Sequence, residues 1–275
     1  MDERPAWSAQ FAPEALRTLT PVPSLDEITE GWAWDGSTGA GVKVAVIDSG
    51  IDSGHPAVGG RVSGYVAITD GPMGLLHDTG PHEDSYGHGT ACAGIIRSVV
   101  PECELYSVKV LGPRLTGRGT TFSAGIQWAI ENGMDVCNVS MGTTRKNFFG
   151  MLHNLADRAY FQNTMLVTAA NNMPVPSFPS LYASTISVAS HEGADDPYLF
   201  YYNPEPPVEF GASGIDVRVA WADGGWITAT GNSFAAPHIT GIVAKILGKN
   251  PGLTLFQMKT VLRALSANMP RAKPG

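Results

Sequence analysis

The segment Gly231-Asn232-Ser233-Phe234-Ala235-Ala236-Pro237-His238 constrains this chain more than any other. It sets one serine after a glycine, with small apolar residues, a proline and a histidine directly behind it. The run Ile239-Thr240-Gly241-Ile242-Val243-Ala244-Lys245-Ile246-Leu247 then reads as a buried helix. A serine at the turn into such a helix keeps its hydroxyl beside the helix's free N–H groups and positive dipole end. That placement suits a nucleophile that must stabilise an oxyanion as it forms.

Two upstream segments supply partners for such a serine. In Val42-Lys43-Val44-Ala45-Val46-Ile47-Asp48-Ser49-Gly50, a short β-branched run ends in turn residues. It reads as a buried parallel strand. Asp48 then stands at the strand's carboxyl end, where open α/β sheets carry their active sites. In Gly87-His88-Gly89-Thr90-Ala91-Cys92-Ala93-Gly94-Ile95-Ile96, a histidine lies between two glycines at the start of an apolar helix.

The order along the chain is Asp, His, Ser, which among the known orders of this triad is that of subtilisin. The chain resembles the subtilase family of serine peptidases over roughly Trp32 to Met269. Residues 44–52 with His55-Pro56 are similar to the family's aspartate motif, Gly87–Gly94 to its histidine motif and Gly231–His238 to its serine motif. Val108–Gly112 and Gln127–Ile130 match as well. The expected fold is therefore α/β with three layers, a mainly parallel central sheet flanked by helices. A single catalytic domain is expected over 1–275, with 1–40 as an N-terminal lead-in and no recognisable prodomain.

Chemistry assigns the roles. Ser233 Oγ is a poor nucleophile until a base takes its proton, and His88 is the expected base. Asp48 holds the imidazole in the right tautomer and stabilises the imidazolium. Leu166–Ala170 reads as a strand ending at Asn171-Asn172. The resemblance puts an oxyanion-hole asparagine there, after a glycine. Asn171 takes the glycine's place and Asn172 the donor's, with Asn171 as the alternative donor and as a wall of the P1 cleft. Losing such a donor costs about 3–4 kcal/mol of transition-state stabilisation.

The resemblance also implies a peptide or protein substrate bound as an added strand. One edge is Leu115-Thr116-Gly117 and the other Ser140-Met141-Gly142, where glycines let a second backbone approach. Arg114 and Arg118 flank the first edge and make acidic substrate side chains conceivable, although most such charges are simply solvated.

Composition narrows the classes further. The formal net charge is −7 with no basic block, so nucleic acid is not an expected partner. No window reaches the length of a membrane span. Met1-Asp2-Glu3-Arg4-Pro5 has no apolar signal core, and about forty residues before the first strand are too few for a signal plus a prodomain. The expected location is cytoplasmic, or secreted if a longer precursor has been trimmed to this chain. Cys92, Cys103 and Cys137 are an odd number, which favours a reducing compartment. Cys92 and Cys137 read as small buried hydrophobes.

No cofactor and no metal are expected. Many subtilases carry a calcium loop after the histidine helix, but here residues 95–101 run directly towards the next strand. Asp70, Asp78, Glu83 and Asp84 read as solvated loop carboxylates, and Asp195–Pro207 as a surface loop. Oligomeric state stays open. The expected function is a serine endopeptidase, with maturation of a peptide precursor as one reading of its role. The alternatives are a general degradative subtilase and a peptide-binding pseudopeptidase. An esterase fits less well, because the Gly-x-Ser-x-Gly elbow and its residue order are missing.

Overall fold

The first strand, β1 (Lys43–Asp48), shows why the chain folds in layers. Val44 and Val46 point into one apolar cluster while Ala45 and Ile47 point into another. Side chains alternate across a strand, so a strand that is apolar from Val44 to Ile47 needs cover on both faces. The computed structural model describes Glu14 and residues 23–25, 27–192 and 196–270.

The other strands of the main sheet are β2 (Gly64–Gly71), β3 (Gly74–Asp78), β4 (Glu104–Lys109), β5 (Val136–Val139), β6 (Met165–Ala169), β7 (Ile186–Glu192), β8 (Phe200–Tyr202) and β9 (Phe210–Ile215). They form one nine-stranded sheet in the order β3-β2-β4-β1-β5-β6-β7-β9-β8. Every internal pairing is parallel, and only the edge strands β3 and β8 run antiparallel to their neighbours. Strand β1 lies between β4 and β5, where the chain changes its direction of winding. The carboxyl ends of β1, β5 and β6 therefore open onto the crevice expected to hold a site.

Helices α1 (Glu30–Trp34), α2 (His88–Val99), α5 (Asn232–Lys249) and α6 (Leu255–Leu265) share one cluster with the sheet. Helices α3 (Gly119–Glu131) and α4 (Phe149–Phe161) cover the other face through Phe122, Ile126, Leu152 and Leu155. A two-stranded hairpin, β10 (Val217–Ala220) and β11 (Trp226–Ala229), packs outside α2. This is the three-layer α/β architecture expected from the sequence. Thr254 and Gln257 form a capping box at the start of α6, and Leu255, Met258, Val261, Leu262 and Leu265 on that helix are buried.

Three expectations change. Asp195–Pro207 is not all loop: Phe200–Tyr202 pairs with β9 as an edge strand, because three consecutive aromatics favour a pleated, half-buried surface. Asp195 itself lies outside the described residues. The loop between Asp48 and His88 contains the β2–β3 hairpin. The lead-in, expected as an extension over 1–40, contributes Ile28, Ala33 and Trp34 to the core. Most of residues 1–22 fall outside the described part.

Helices α2 and α5 cross closely under the sheet. A Cβ on Gly241 would lie 2.7 Å from Val99 Cβ, so only glycine allows this approach. Gly241→Ala should destabilise the fold by about 1–3 kcal/mol through overpacking, although Ala is the better helix former by about 1 kcal/mol. Urea unfolding of that variant, and of its combination with Val99→Ala, measures the coupling. A neutral or stabilising Gly241→Ala would mean that the crossing is loose.

Candidate active site

Helix α2 begins on top of the end of β1. Its N-cap, Gly87, has φ 115°, a left-handed conformation that side chains avoid. A Cβ on Gly89 would lie 2.1 Å from the Gly50 carbonyl oxygen and 3.1 Å from Asp48 Cβ. The two glycines around His88 thus let the helix start against the strand end. His88 Nδ1–H donates to Asp48 Oδ2 at 2.8 Å and lies 3.0 Å from Oδ1. Asp48 is 0% exposed and His88 6%. The Ser49 N–H also donates to Asp48 Oδ1, at 2.8 Å.

Burial by itself disfavours the imidazolium, but the Asp48 carboxylate outweighs it and holds the His88 pKa well above the ordinary histidine value. A raised folded pKa has a definite sign. The pair stabilises the fold fully below the unfolded value of about 6.5, and loses that contribution as pH rises through the folded value.

Ser233 lies in the first turn of α5. A Cβ built on Gly231 would be 3.3 Å from Ser233 Oγ and 3.4 Å from Asn172 Nδ2, so these two atoms converge on one point. Asn172 Oδ1 accepts from the Asn232 N–H at 2.8 Å, which turns its Nδ2 towards the serine. Asn171 points elsewhere: its Oδ1 accepts from the Met173 N–H at 2.8 Å. It is half-buried and does not line the cleft described below. Asn232, which the sequence did not single out, clamps the serine turn to the sheet. Its Nδ2 donates to the carbonyls of Ala170 and Asn171, and its Oδ1 accepts from the Ser190 N–H.

Pro237 lies inside α5 and has no N–H, so the Ser233 carbonyl lacks its partner one turn on. Ser140 Oγ donates to that carbonyl at 3.0 Å. Asn138 Nδ2 donates to Ser140 Oγ, and Thr240 Oγ1 to Asn138 Oδ1. Phe234 packs its ring 5.3 Å from that of His88.

Cys92 is more than the small hydrophobe expected. Its Sγ lies 3.9 Å from both His88 Nδ1 and Asp48 Oδ2, and 3.6 Å from the Ser233 carbonyl oxygen. Asp48, His88 and Cys92 are the one group of three His, Cys, Asp or Glu side chains among the described residues close enough to share a metal ion. Burial pushes the Cys92 thiol up, however, and a protonated thiol is a weak ligand. All three cysteines are free and buried.

Both expected binding edges meet in one cleft of about 320 Å³ beside His88. Leu115, Thr116 and Gly117 form one wall, and Ser140, Met141 and Gly142 the other. Leu115 holds φ 54°, uncommon outside glycine, within a turn closed by the Gly112 N–H and the Thr116 carbonyl. A larger cavity of about 870 Å³ lies between α2 and the β10–β11 hairpin and contains no triad residue.

The reading of Asp84 as a solvated loop carboxylate is wrong. Asp84 Oδ1 accepts from Ser49 Oγ and the N–H groups of Tyr86 and Gly87, and Oδ2 from the Thr90 N–H and Oγ1, all at 2.7–2.9 Å. It closes the first turn of α2 and so sets the position of His88. Burial acts to raise its pKa, but these donors outweigh burial and the carboxyl sits below its usual value. The depressed value means that its stabilisation is present above about pH 4 and lost as pH falls further. Asp84→Ala should cost about 2–4 kcal/mol at neutral pH, the scale for stripping charge-assisted bonds from backbone donors. The gap between the two unfolding curves should shrink below about pH 4. A difference under about 1 kcal/mol would mean that water replaces these bonds without loss.

A model described as the subtilase family matches residues 39–272. The chain is 33% identical over 244 residues to a subtilisin of Bacillus pumilus, covering 83% of this chain and 85% of that one. It is 32% identical over 254 residues to the minor extracellular protease Epr of Bacillus subtilis (strain 168), covering 87% of this chain but 37% of the relative. The chain spans 61% of the length of subtilisin E from the same organism. A crystal structure of a cold adapted subtilisin-like serine proteinase superposes with a TM-score of 0.66 at 26% identity, covering 86% of this chain and 88% of that one. Among the described residues no helix is long and apolar enough to cross a membrane.

Proposed function

The chain belongs to the subtilase family, and on that premise we propose that it is an active serine endopeptidase whose catalytic unit occupies residues 39–272. One observation carries the reading: a buried Asp48–His88 pair stands at the sheet's carboxyl edge, beside a serine and an amide donor that converge on Gly231. A pseudopeptidase would have no use for a buried Asp–His pair together with an amide aimed beside the serine.

In the proposed reaction a peptide lies extended between the two cleft walls. Ser233 Oγ attacks the scissile carbonyl carbon as His88 Nε2 takes its proton. Asp48 keeps Nδ1 protonated and offsets the charge on the ring. The carbonyl oxygen becomes an oxyanion and accepts from Asn172 Nδ2 and from the free N–H groups at the start of α5. The C–N bond then breaks, the leaving amine takes the proton from His88, and an ester remains on Ser233. Water deprotonated by His88 hydrolyses that ester and restores the serine.

Precursor maturation and general degradation both need this chemistry. The cytoplasmic location expected from the sequence gains no support from the relatives, one of which is by name an extracellular protease. It forms no part of the reading.

Ser233→Ala should abolish peptide hydrolysis, and adding His88→Ala should lower the residual rate little further, because the triad acts as a unit. Asn172→Ala should lower kcat by about 10²–10³ with little change in KM, since its bond forms mainly in the transition state. Substantial turnover by the Ser233→Ala protein, or a full rate in Asn172→Ala, would contradict these assignments.

The pH profile has a sign as well. Only neutral His88 acts as base, and its pKa is raised. kcat/KM should therefore rise with pH through a value above the ordinary histidine figure of about 6.5. Asp48→Asn should shift that inflection downward. An inflection at or below about 6.5 in the native chain would contradict the raised value.

A further inference from the structure

The cleft beside His88 is opposite in charge to the chain that contains it. The chain carries 25 acidic and 18 basic side chains, for a net charge of −7. Arg118 and Arg145 both line the cleft, yet no Asp or Glu does. Arg118 reaches it from the turn before α3, and Arg145 from the turn before the 3-10 segment Lys146–Phe148. Arg114 and Lys146 lie beside them in sequence, and both are exposed.

The two arginines are available to a ligand. The Arg145 guanidinium has no ion pair or hydrogen bond among the described residues; its backbone N–H donates to Thr143 Oγ1 at 3.1 Å. Arg118 pairs with Asp70 at 3.2 Å, with side chains 75% and 41% exposed. An exposed pair of that kind contributes little and exchanges readily for another carboxylate. Below the arginines the floor is apolar, formed by Leu111, Phe122 and Met141.

An apolar floor under a cationic rim fits one class of side chain. A glutamate lays its methylenes on the floor and brings its carboxylate to the rim. There a guanidinium presents a planar fork matched to it. A lysine in the same place would meet two like charges, and a plain aliphatic chain would leave the rim unpaired. We infer that this cleft selects peptides carrying an acidic side chain at the position that enters it, with Arg145 and Arg118 as the residues that set the preference. The inference rests on the peptidase reading above and names the substrate class of that same site.

The test uses internally quenched fluorogenic peptides and the full chain. Within one cleavable sequence, each position on either side of the scissile bond is set in turn to Glu, Gln or Lys, and kcat/KM is measured at low salt. At one position, or two adjacent ones, Glu should exceed Gln by about two- to fivefold, the size of a partly exposed charge pair, with Lys below Gln. The Glu/Gln ratio should fall towards one in about 0.5 M salt, because exposed charges are screened. It should also fall in Arg145→Ala, survive in part in Arg145→Lys, and give way to a Lys preference in Arg145→Glu combined with Arg118→Glu. Each variant is read as a ratio, so a general loss of rate or folding cannot imitate the result.

Equal rates for Glu and Gln at every position would overturn the inference while leaving the peptidase reading intact. An acidic preference unchanged in both the Arg145 and Arg118 variants would overturn the assignment to this cleft. Failure to cleave any peptide would instead overturn the peptidase reading.

Discussion

The buried pair of Asp48 and His88 is the interaction on which the rest of the site depends. Neither side chain could occupy its place alone. A carboxylate with no exposure needs a positive or donating partner, and removing one member of such a pair typically costs about 3–5 kcal/mol. The fold exists in a form that makes the pairing possible. Strand β1 ends at the switch in winding, α2 starts directly above it, and Gly89 removes the Cβ that would hold the two apart. Asp84 accepts three hydrogen bonds from Gly87 and Thr90 at the helix start and two from Ser49 and Tyr86 before it, so the histidine sits on a rigid element rather than a loop.

The serine end is built by an equivalent constraint. Pro237 removes one helical hydrogen bond, and the Ser233 carbonyl left over is met by Ser140, a residue of the cleft wall. Asn138 and Thr240 extend this chain of bonds back to α5. The nucleophile's backbone and the surface offered to a substrate are thus parts of one network. Cys92 lies where that network meets the buried pair.

Much of this was legible in the sequence because it is local. The β-branched run before Asp48, the glycines around His88 and the capping box at Thr254 each carry their cause within a few residues. The different orientations of Asn171 and Asn172 have a cause that no sequence pattern displays: the Asn232 N–H holds the second asparagine while the first turns back on its own backbone. Asp84 was missed because its donors are mostly backbone N–H groups, which no sequence pattern displays. The β2–β3 hairpin is less legible: the burial of Val66 and Ile68 follows a strand alternation, but Asp70 and Asp78 in the same stretch read as loop carboxylates. Arg145 is distant from Arg118 in sequence and shares the cleft with it only through the fold.

The central claim is that Ser233 is a nucleophile made reactive by the buried His88. An organofluorophosphonate, which reacts with activated serines, tests it most directly when the modified residue is located by peptide mass spectrometry. The account predicts one adduct per chain, on Ser233, formed rapidly in the native protein and lost in His88→Ala. No adduct, or an adduct on another residue in a folded chain, would contradict it.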